Sequence, residues 1–178
     1  PGSFTAEVLC NKRVTPEAHW QDVRHIELKV RSPGRNGAIS FAGQTLLIYP
    51  KNYPEDVQKL IDLMGWADVA EQRIEIDWAR NTRSRDYHFP QGATVRDVLT
   101  HNFDITAVPK RTFLEFMAYH TTNTLEKERL QELTQRGDTD EFYDYTARPR
   151  RTILEVLEDF PGVKIPYTRL LEFPIIRP

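Results

Sequence analysis

The spacing of apolar residues changes at Pro54, and this change limits the possible folds more than any other feature of the sequence. From Ile26 to Val30, apolar residues alternate with charged ones, which is typical of a half-buried strand. From Val57 to Met64 they recur at intervals of three and four, which indicates one face of a helix. The pattern therefore predicts strands in the first part of the chain and helices in the second.

Three strands are predicted before this change. They span Phe4 to Val14, Val23 to Arg31 and Ile39 to Tyr49. The connections are rich in turn-forming residues and suit antiparallel pairing. The pattern also allows a short strand from Arg73 to Ile76, and it indicates a loop from Asn81 to Gly92.

Start signals predict five helices after the change. They begin at Pro54, Thr94, Pro109, Asn123 and Thr152. At Thr94 and Thr152 a hydroxyl residue precedes an acid by three positions, so that each side chain can bind a free backbone N–H group of the other residue. Asn123 has a weaker form of the same pattern, with Glu126 as its acid. A block of strands followed by a block of helices predicts an α+β fold.

The sequence also predicts where three of these helices extend. The first helix is expected to end at Gly65, and the helix that contains Leu130 and Leu133 is expected to end at Gly137. The helix that opens at Pro109 is expected to present an apolar face that reaches His120.

Charge and composition exclude several functions. The chain has 24 Lys and Arg against 26 Asp and Glu, a net charge of −2, so it is not a globally basic nucleic-acid binder. Arg80, Arg83 and Arg85 lie near aromatic residues, but three charges in one loop do not change this interpretation. No apolar run approaches the roughly 20 residues of a membrane helix. The single cysteine, Cys10, excludes an internal disulfide and fits a cytoplasmic setting.

Motifs of common catalytic and metal sites do not occur. None of the five histidines has compact metal-ligand spacing, and there is no phosphate loop, Gly-x-Gly-x-x-Gly or Gly-x-Ser-x-Gly. Asp138 to Glu141 resembles the opening of a calcium loop but lacks its later ligands, so acids at a helix start are favoured. Residues 123–145 hold seven acids against three bases. A solvated helix face is the favoured interpretation, and a docking surface for a basic partner is the alternative.

The cluster Arg148-Pro149-Arg150-Arg151 is more informative because it directly precedes the predicted helix start at Thr152. Free N–H groups and the positive end of a helix dipole, together with guanidinium groups, favour a bound phosphate. Arginines that pair with nearby acids such as Asp144, Glu155 or Glu158 give an alternative of equal weight.

Two long segments resemble the FAD-binding and connecting region of the diflavin reductases, the family that includes cytochrome P450 reductase. They run from Thr94 to Arg111 and from Tyr143 to Pro161. The stretches Val8 to Pro16 and Leu47 to Asn52 look closest to the NADPH-dependent branch that serves cytosolic iron–sulfur protein assembly. The resemblance covers nearly the whole chain from Phe4 to Pro178.

This resemblance implies a partial antiparallel flavin-binding β-barrel with a mostly α-helical connecting domain. Residues 4–52 would supply the N-terminal strands of the barrel, and residues 53–178 the connecting domain. In this family electrons pass from NADPH to FAD, then to FMN and then to an acceptor. For this branch the acceptor is an anamorsin-type iron–sulfur protein in the cytoplasm. The arginine that contacts FAD in these proteins looks like Arg150.

The sequence also departs from the family pattern. The main FAD motif, Arg-x-Tyr or Phe-Ser, would follow Pro178, and the glycine-rich diphosphate segment and the FMN and NADPH domains are not in this sequence. The usual Pro-Gly-Asp turn reads Ala42-Gly43-Gln44. The expectation is a piece of a redox enzyme that binds little or no FAD and is redox-inactive alone. The alternative is an interaction module that orients the flavin domains and docks a protein partner.

Overall fold

The computed structural model describes residues 5–30, 48–75, 92–135, 137 and 139–172. Residue contacts divide the chain into two compact units, with the boundary between Ile48 and Tyr49. Most of the predicted third strand lies outside the described residues, as do the turn at Ala42 to Gln44 and the loop that carries Arg80, Arg83 and Arg85.

The first unit contains a hairpin of two antiparallel strands, β1 (Ala6–Arg13) and β2 (Arg24–Val30). The first two predicted strands are thus confirmed, with β1 ending at Arg13 rather than Val14 and β2 beginning at Arg24 rather than Val23. Val8 pairs with Leu28, but two positions further along β1 the register slips, because a bulge leaves Cys10 opposite Glu27.

The hairpin buries less of its apolar face than the alternation predicts. Leu28 and Val30 are half-buried, whereas Ile26 is 54% exposed and Val8 is 58% exposed. The half-buried face is therefore confirmed only near the end of β2.

The second unit is helical. Its helices are α1 (Pro54–Met64), α2 (Val95–His101), α3 (Arg111–Ala118), α4 (Thr124–Thr134), α5 (Thr139–Tyr145) and α6 (Ile153–Asp159), and a 3₁₀ turn spans Tyr167–Glu172. Together with the hairpin they confirm the α+β class. The predicted short strand near Arg73 is reduced to a single bridge between Arg73 and Thr94, and Ile76 lies outside the described residues.

Helix α1 begins and ends at the residues that the sequence indicates. Pro54 occupies the first turn, and Gly65 closes the helix with a left-handed backbone (φ 71°). The next residue, Trp66, is buried, and its indole N–H donates to the carbonyl of Ile165 at 2.9 Å. The ammonium of Lys164 donates to the carbonyl of Leu63. These bonds tie the segment after α6 to the end of α1.

Buried Asn52 fixes the chain that enters α1. Its side-chain amide donates to the carbonyls of Leu99 at 2.6 Å and Phe103 at 2.7 Å, and its backbone N–H donates to Thr100. Carbonyls at a helix end have no partner within the helix. Asn52 therefore satisfies the end of α2 from another part of the chain.

The predicted start and the predicted extent of the helix at Pro109 are wrong. Helix α3 starts at Arg111 rather than Pro109, because Lys110 between them has an extended backbone. It ends at Ala118, so that His120 lies outside the helix, with its ring 4.6 Å from that of Phe116.

Helix α4 ends at Thr134, before the predicted stop at Gly137. The guanidinium of Arg111 donates to the carbonyls of Leu133 at 3.2 Å and Gln135 at 2.7 Å. It also lies 4.8 Å above the ring of Phe142. A side chain from α3 therefore caps the end of α4.

The core of the second unit is formed by apolar faces of its helices and of the segment after α6. Among its fully buried side chains are Leu60, Leu99, Phe113, Leu130 and Leu157. Every buried member of this cluster lies between Val57 and Leu170. Across the described parts of the chain, no helix is long and apolar enough to cross a membrane.

Candidate functional site

The arginine cluster forms a tight turn between α5 and α6. The N–H of Arg151 donates to the carbonyl of Thr146 at 2.9 Å, and the N–H of Arg150 donates to that of Ala147 at 3.3 Å. These two bonds are the pair that closes a Schellman turn at a helix end. Thr146 fixes the turn to the interior of the second unit, since it is fully buried and its hydroxyl donates to the carbonyl of Phe142 at 2.7 Å.

Arg150 occupies the left-handed position of this turn. Its φ is 56°, and among the described residues no other non-glycine residue has a positive φ. Glycine is the usual residue there because a Cβ makes the left-handed backbone unfavourable. The Arg150 side chain is exposed, and it makes no hydrogen bond or ion pair with any described residue. Its guanidinium group is therefore open to a ligand.

The two neighbouring arginines are already paired. Arg148 lies 3.3 Å from a carboxylate oxygen of Asp144. Arg151 forms an ion pair with Asp159. The ion-pair interpretation is thus confirmed for Arg148 with Asp144, and it holds for Arg151 with an acid that the sequence did not single out.

The other two acids proposed as partners have different roles. Glu158 pairs with Lys59 of α1 at 2.6 Å. Glu155 accepts the N–H and the hydroxyl of Thr152, at 2.7 and 2.8 Å, and so completes the predicted capping box. These hydrogen bonds hold the pKa of Glu155 below its ordinary value, because they favour the ionised carboxylate.

The start of α6 cannot hold a phosphate, which corrects one part of the sequence interpretation. Its N–H groups are already bonded: Ile153 donates to Ala107 at 2.9 Å, Leu154 to Ile105 at 3.2 Å, and Glu155 to the Thr152 hydroxyl at 3.3 Å. The Glu155 carboxylate also places a negative charge there. Any phosphate site at this turn therefore depends on Arg150, and not on the helix start.

Sequence reasoning missed Tyr145 and Asp159, which contact Arg151 of the arginine cluster. The Tyr145 hydroxyl donates to Asp159 at 2.8 Å, and the Arg151 guanidinium lies 4.6 Å above the Tyr145 ring. Burial and the Asp159 carboxylate raise the pKa of Tyr145, because both favour the protonated phenol that donates this hydrogen bond. No spacing rule could find this pair, because its members are 14 residues apart on two different helices.

Several acids of the acidic stretch are bonded to neighbouring residues. Arg129 lies between Glu132 at 3.1 Å and Glu141 at 2.6 Å, and these hydrogen bonds raise the pKa of Arg129. Glu126 is bonded to the Thr121 hydroxyl and the Gly162 N–H. These contacts agree with the favoured interpretation of a solvated helix face, and the docking surface stays a prediction.

The stretch that resembled a calcium loop begins a helix. Asp140 and Glu141 lie in the first turn of α5, where acids interact favourably with the helix dipole. No group of three potential metal ligands occurs within the part of the chain that the structure describes.

The open guanidinium of Arg150 suits a phosphate or diphosphate, since its planar set of donors can bind two oxygens at once. This chemistry agrees with the family comparison. Residues 2–178 match the family model described as FAD binding domain. The chain belongs to the FAD binding domain family.

The chain is also similar to curated relatives that share one name. It is 45% identical over 180 residues to NADPH-dependent diflavin oxidoreductase 1 of Gibberella zeae, with 99% of the chain and 29% of the relative covered. The protein of that name from Emericella nidulans is 46% identical over 187 residues, covering 98% of the chain and 28% of the relative. The Danio rerio protein is 39% identical over 178 residues, covering 98% and 29%.

These matches confirm the resemblance to the diflavin reductases. The chain spans less than a third of the length of the relatives it matches.

Proposed function

We propose that this chain is the FAD-side segment of an NADPH-dependent diflavin oxidoreductase, in which Arg150 contacts the phosphates of FAD. The observation that carries the proposal is the open guanidinium of Arg150 on a closed turn, within a chain that matches the FAD binding domain along its length. Arg148 and Arg151 are committed to Asp144 and Asp159, which leaves Arg150 as the cation available to a ligand at this turn.

The two parts of the chain have different roles in this proposal. Residues 4–52 contribute the N-terminal strands of an antiparallel flavin-binding barrel, and residues 53–178 form the mainly helical connecting domain. The hairpin of β1 and β2 supports the first role, and the helical core supports the second. The FMN and NADPH domains belong to the same protein, as the names of the relatives suggest.

The complete protein transfers electrons from NADPH through FAD and FMN to an anamorsin-type iron–sulfur protein in the cytoplasm. FAD supplies the redox chemistry when it is bound, by accepting a hydride and releasing electrons one at a time. The residues of this chain bind and orient FAD. Arg150 binds its phosphate oxygens, and the capped start of α6 keeps the turn that carries Arg150 in place. The chain alone is redox-inactive and binds FAD weakly, because one phosphate contact offsets little of the entropy lost on association.

The proposal is tested by NMR titration of the chain with FAD to millimolar concentrations, observing the side-chain Nε–Hε signal of Arg150. We expect a saturable shift of this signal. Arg150→Ala should weaken binding by about tenfold, as expected for loss of a charge-assisted hydrogen bond. Other resonances that shift in both proteins would report the remaining affinity.

Arg148→Ala is the matched control, since it removes a nearby guanidinium that is already paired with Asp144. It should change the FAD affinity by less than about twofold. An Arg150 signal that does not move, or binding that is equally weakened by Arg148→Ala, would remove Arg150 from the flavin site.

A further inference from the structure

The turn that carries Arg150 is held by a cluster of three side chains, Tyr145, Arg151 and Asp159. Asp159 accepts the Tyr145 hydroxyl at 2.8 Å and is paired with the Arg151 guanidinium. That guanidinium also lies 4.6 Å above the Tyr145 ring. The Tyr145 ring in turn meets the buried ring of Phe160 edge-on, with 6.3 Å between the ring centroids. The last residue of α5 and the last residue of α6 are therefore joined by a direct hydrogen bond, and Arg151 contacts both of them.

Arg151 is fixed at both its backbone and its side chain. Its N–H closes the turn on Thr146, and its guanidinium is held by Asp159 and Tyr145. Arg150, the residue directly before it, is left with a left-handed backbone and an exposed side chain. This backbone conformation is unfavourable for an L-residue, and it persists only where the surrounding structure imposes it.

We propose that Tyr145, Asp159 and Arg151 are positioning residues that hold Arg150 in its left-handed conformation and aim its guanidinium at the phosphates of FAD. The contacts within this chain support the positioning of the turn. The purpose of this positioning rests on the proposed function of Arg150. A guanidinium that is already oriented loses less conformational entropy when it binds. The cluster thus contributes to affinity without touching the ligand.

The test compares two acids that pair with arginines on either side of Arg150. Asp159→Asn weakens the pair with Arg151, and Asp144→Asn, the matched control, weakens the pair with Arg148. Two measurements need no ligand: amide hydrogen exchange of Arg151, and the one-bond Cα–Hα coupling of Arg150, which responds to a positive φ. In Asp159→Asn we expect about tenfold faster exchange of the Arg151 amide, as its closed turn opens more often, and a coupling shifted away from the positive-φ value. Asp144→Asn should leave both signals within about twofold of the unsubstituted chain.

Tyr145→Phe is a second variant that keeps the ring and removes only the hydroxyl that Asp159 accepts. It should shift both signals in the same direction as Asp159→Asn. If Asp159→Asn does not fold, Tyr145→Phe alone tests whether the cluster holds the turn. Unchanged exchange and coupling in Tyr145→Phe and in any folded Asp159→Asn would overturn the positioning role. Equal effects of Asp144→Asn and Asp159→Asn would also overturn it, since they would reflect loss of negative charge in general.

FAD titration of the same variants separates the two proposals. If Arg150 responds to FAD in the unsubstituted chain, Asp159→Asn should weaken FAD binding by about tenfold and Asp144→Asn by less than about twofold. FAD affinity unchanged in Asp159→Asn, despite a disturbed turn, would overturn the role in aiming the guanidinium. If Arg150 does not respond to FAD at all, the proposed function fails, and the exchange and coupling data still decide whether the cluster holds the turn.

Discussion

A single residue, Arg150, occupies a position that glycine would fill at lower conformational cost. The left-handed backbone costs an L-residue about 1–2 kcal/mol, whereas glycine costs about 0.5–1 kcal/mol in extra chain entropy. We therefore predict that Arg150→Gly stabilises the chain by about 0.5–1 kcal/mol, measured by urea unfolding. A residue that is kept at a cost to stability is typical of a functional site.

Arg148→Gly serves as the comparison two residues away. Arg148 does not have a positive φ, so glycine there gains nothing from backbone relief and should destabilise the chain by about 0.5–1 kcal/mol. Opposite signs for the two substitutions would support a strained Arg150. A loss of stability in Arg150→Gly as large as that in Arg148→Gly would contradict it.

At the scale of elements, the start of α6 depends on the reciprocal bonds between Thr152 and Glu155. Thr152→Ala removes the hydroxyl that caps the Glu155 N–H and should cost about 1 kcal/mol of stability. Thr152→Ser keeps the hydroxyl and should cost much less. Urea unfolding at pH 7 measures both variants, and equal losses in the two would show that the hydroxyl does not act as a cap.

The same cap predicts that the stability of the folded chain depends on pH. The pKa of Glu155 is lower in the folded chain than its ordinary value of 4.5, because the ionised carboxylate accepts two hydrogen bonds from Thr152. This contribution to stability is present above pH 4.5 and is lost as the pH falls through the folded pKa. Glu155→Gln should accordingly reduce the loss of stability on acidification below pH 4.5, compared with the unsubstituted chain. An identical acid profile in the two proteins would contradict this assignment.

Local signals predicted the elements that depend on local bonds. Pro54, Gly65 and the hydroxyl–acid pairs at Thr94 and Thr152 act within a few residues, and the structure confirms each of them. The pair of Asn123 and Glu126 shows where this reasoning fails. Asn123 caps α4 as predicted, since its side chain accepts the N–H of Leu125, but the Glu126 carboxylate does not complete a box.

Glu126 instead makes bonds that only the folded chain creates. It accepts the Thr121 hydroxyl at 2.9 Å and, from 36 residues away, the Gly162 N–H at 3.0 Å. A Cβ on Gly162 would lie only 2.6 Å from a carboxylate oxygen of Glu126, so a side chain there would displace that carboxylate. Sequence reasoning is limited in the same way at the arginine turn. The family resemblance indicated Arg150, but local patterns could not indicate Tyr145 and Asp159, because these partners of Arg151 lie on two different helices.

At the scale of the whole molecule, the two units differ in how much apolar surface they bury. All buried side chains of the core cluster come from residues 57–170, where entire faces of helices such as α1 and α3 are covered. In the hairpin, Val8, Leu9 and Ile26 are each more than half exposed. Within the described residues of the first unit the sheet has two strands. A hairpin of two strands alone is at best marginally stable in water, because it buries too little apolar surface to offset its chain entropy.

This difference predicts that residues 49–178 fold on their own and residues 1–48 do not. A chain of residues 49–178 should show helical circular dichroism and a single cooperative transition in urea, since it contains the whole cluster. A peptide of residues 1–48 is the matched comparison, and it should show rapid amide exchange along β1 and β2 and no cooperative transition. A shortened chain that keeps its helices but binds a dye for exposed apolar surface and melts gradually would contradict the prediction. It would mean that residues 1–48 are needed for the helical core to reach fixed packing.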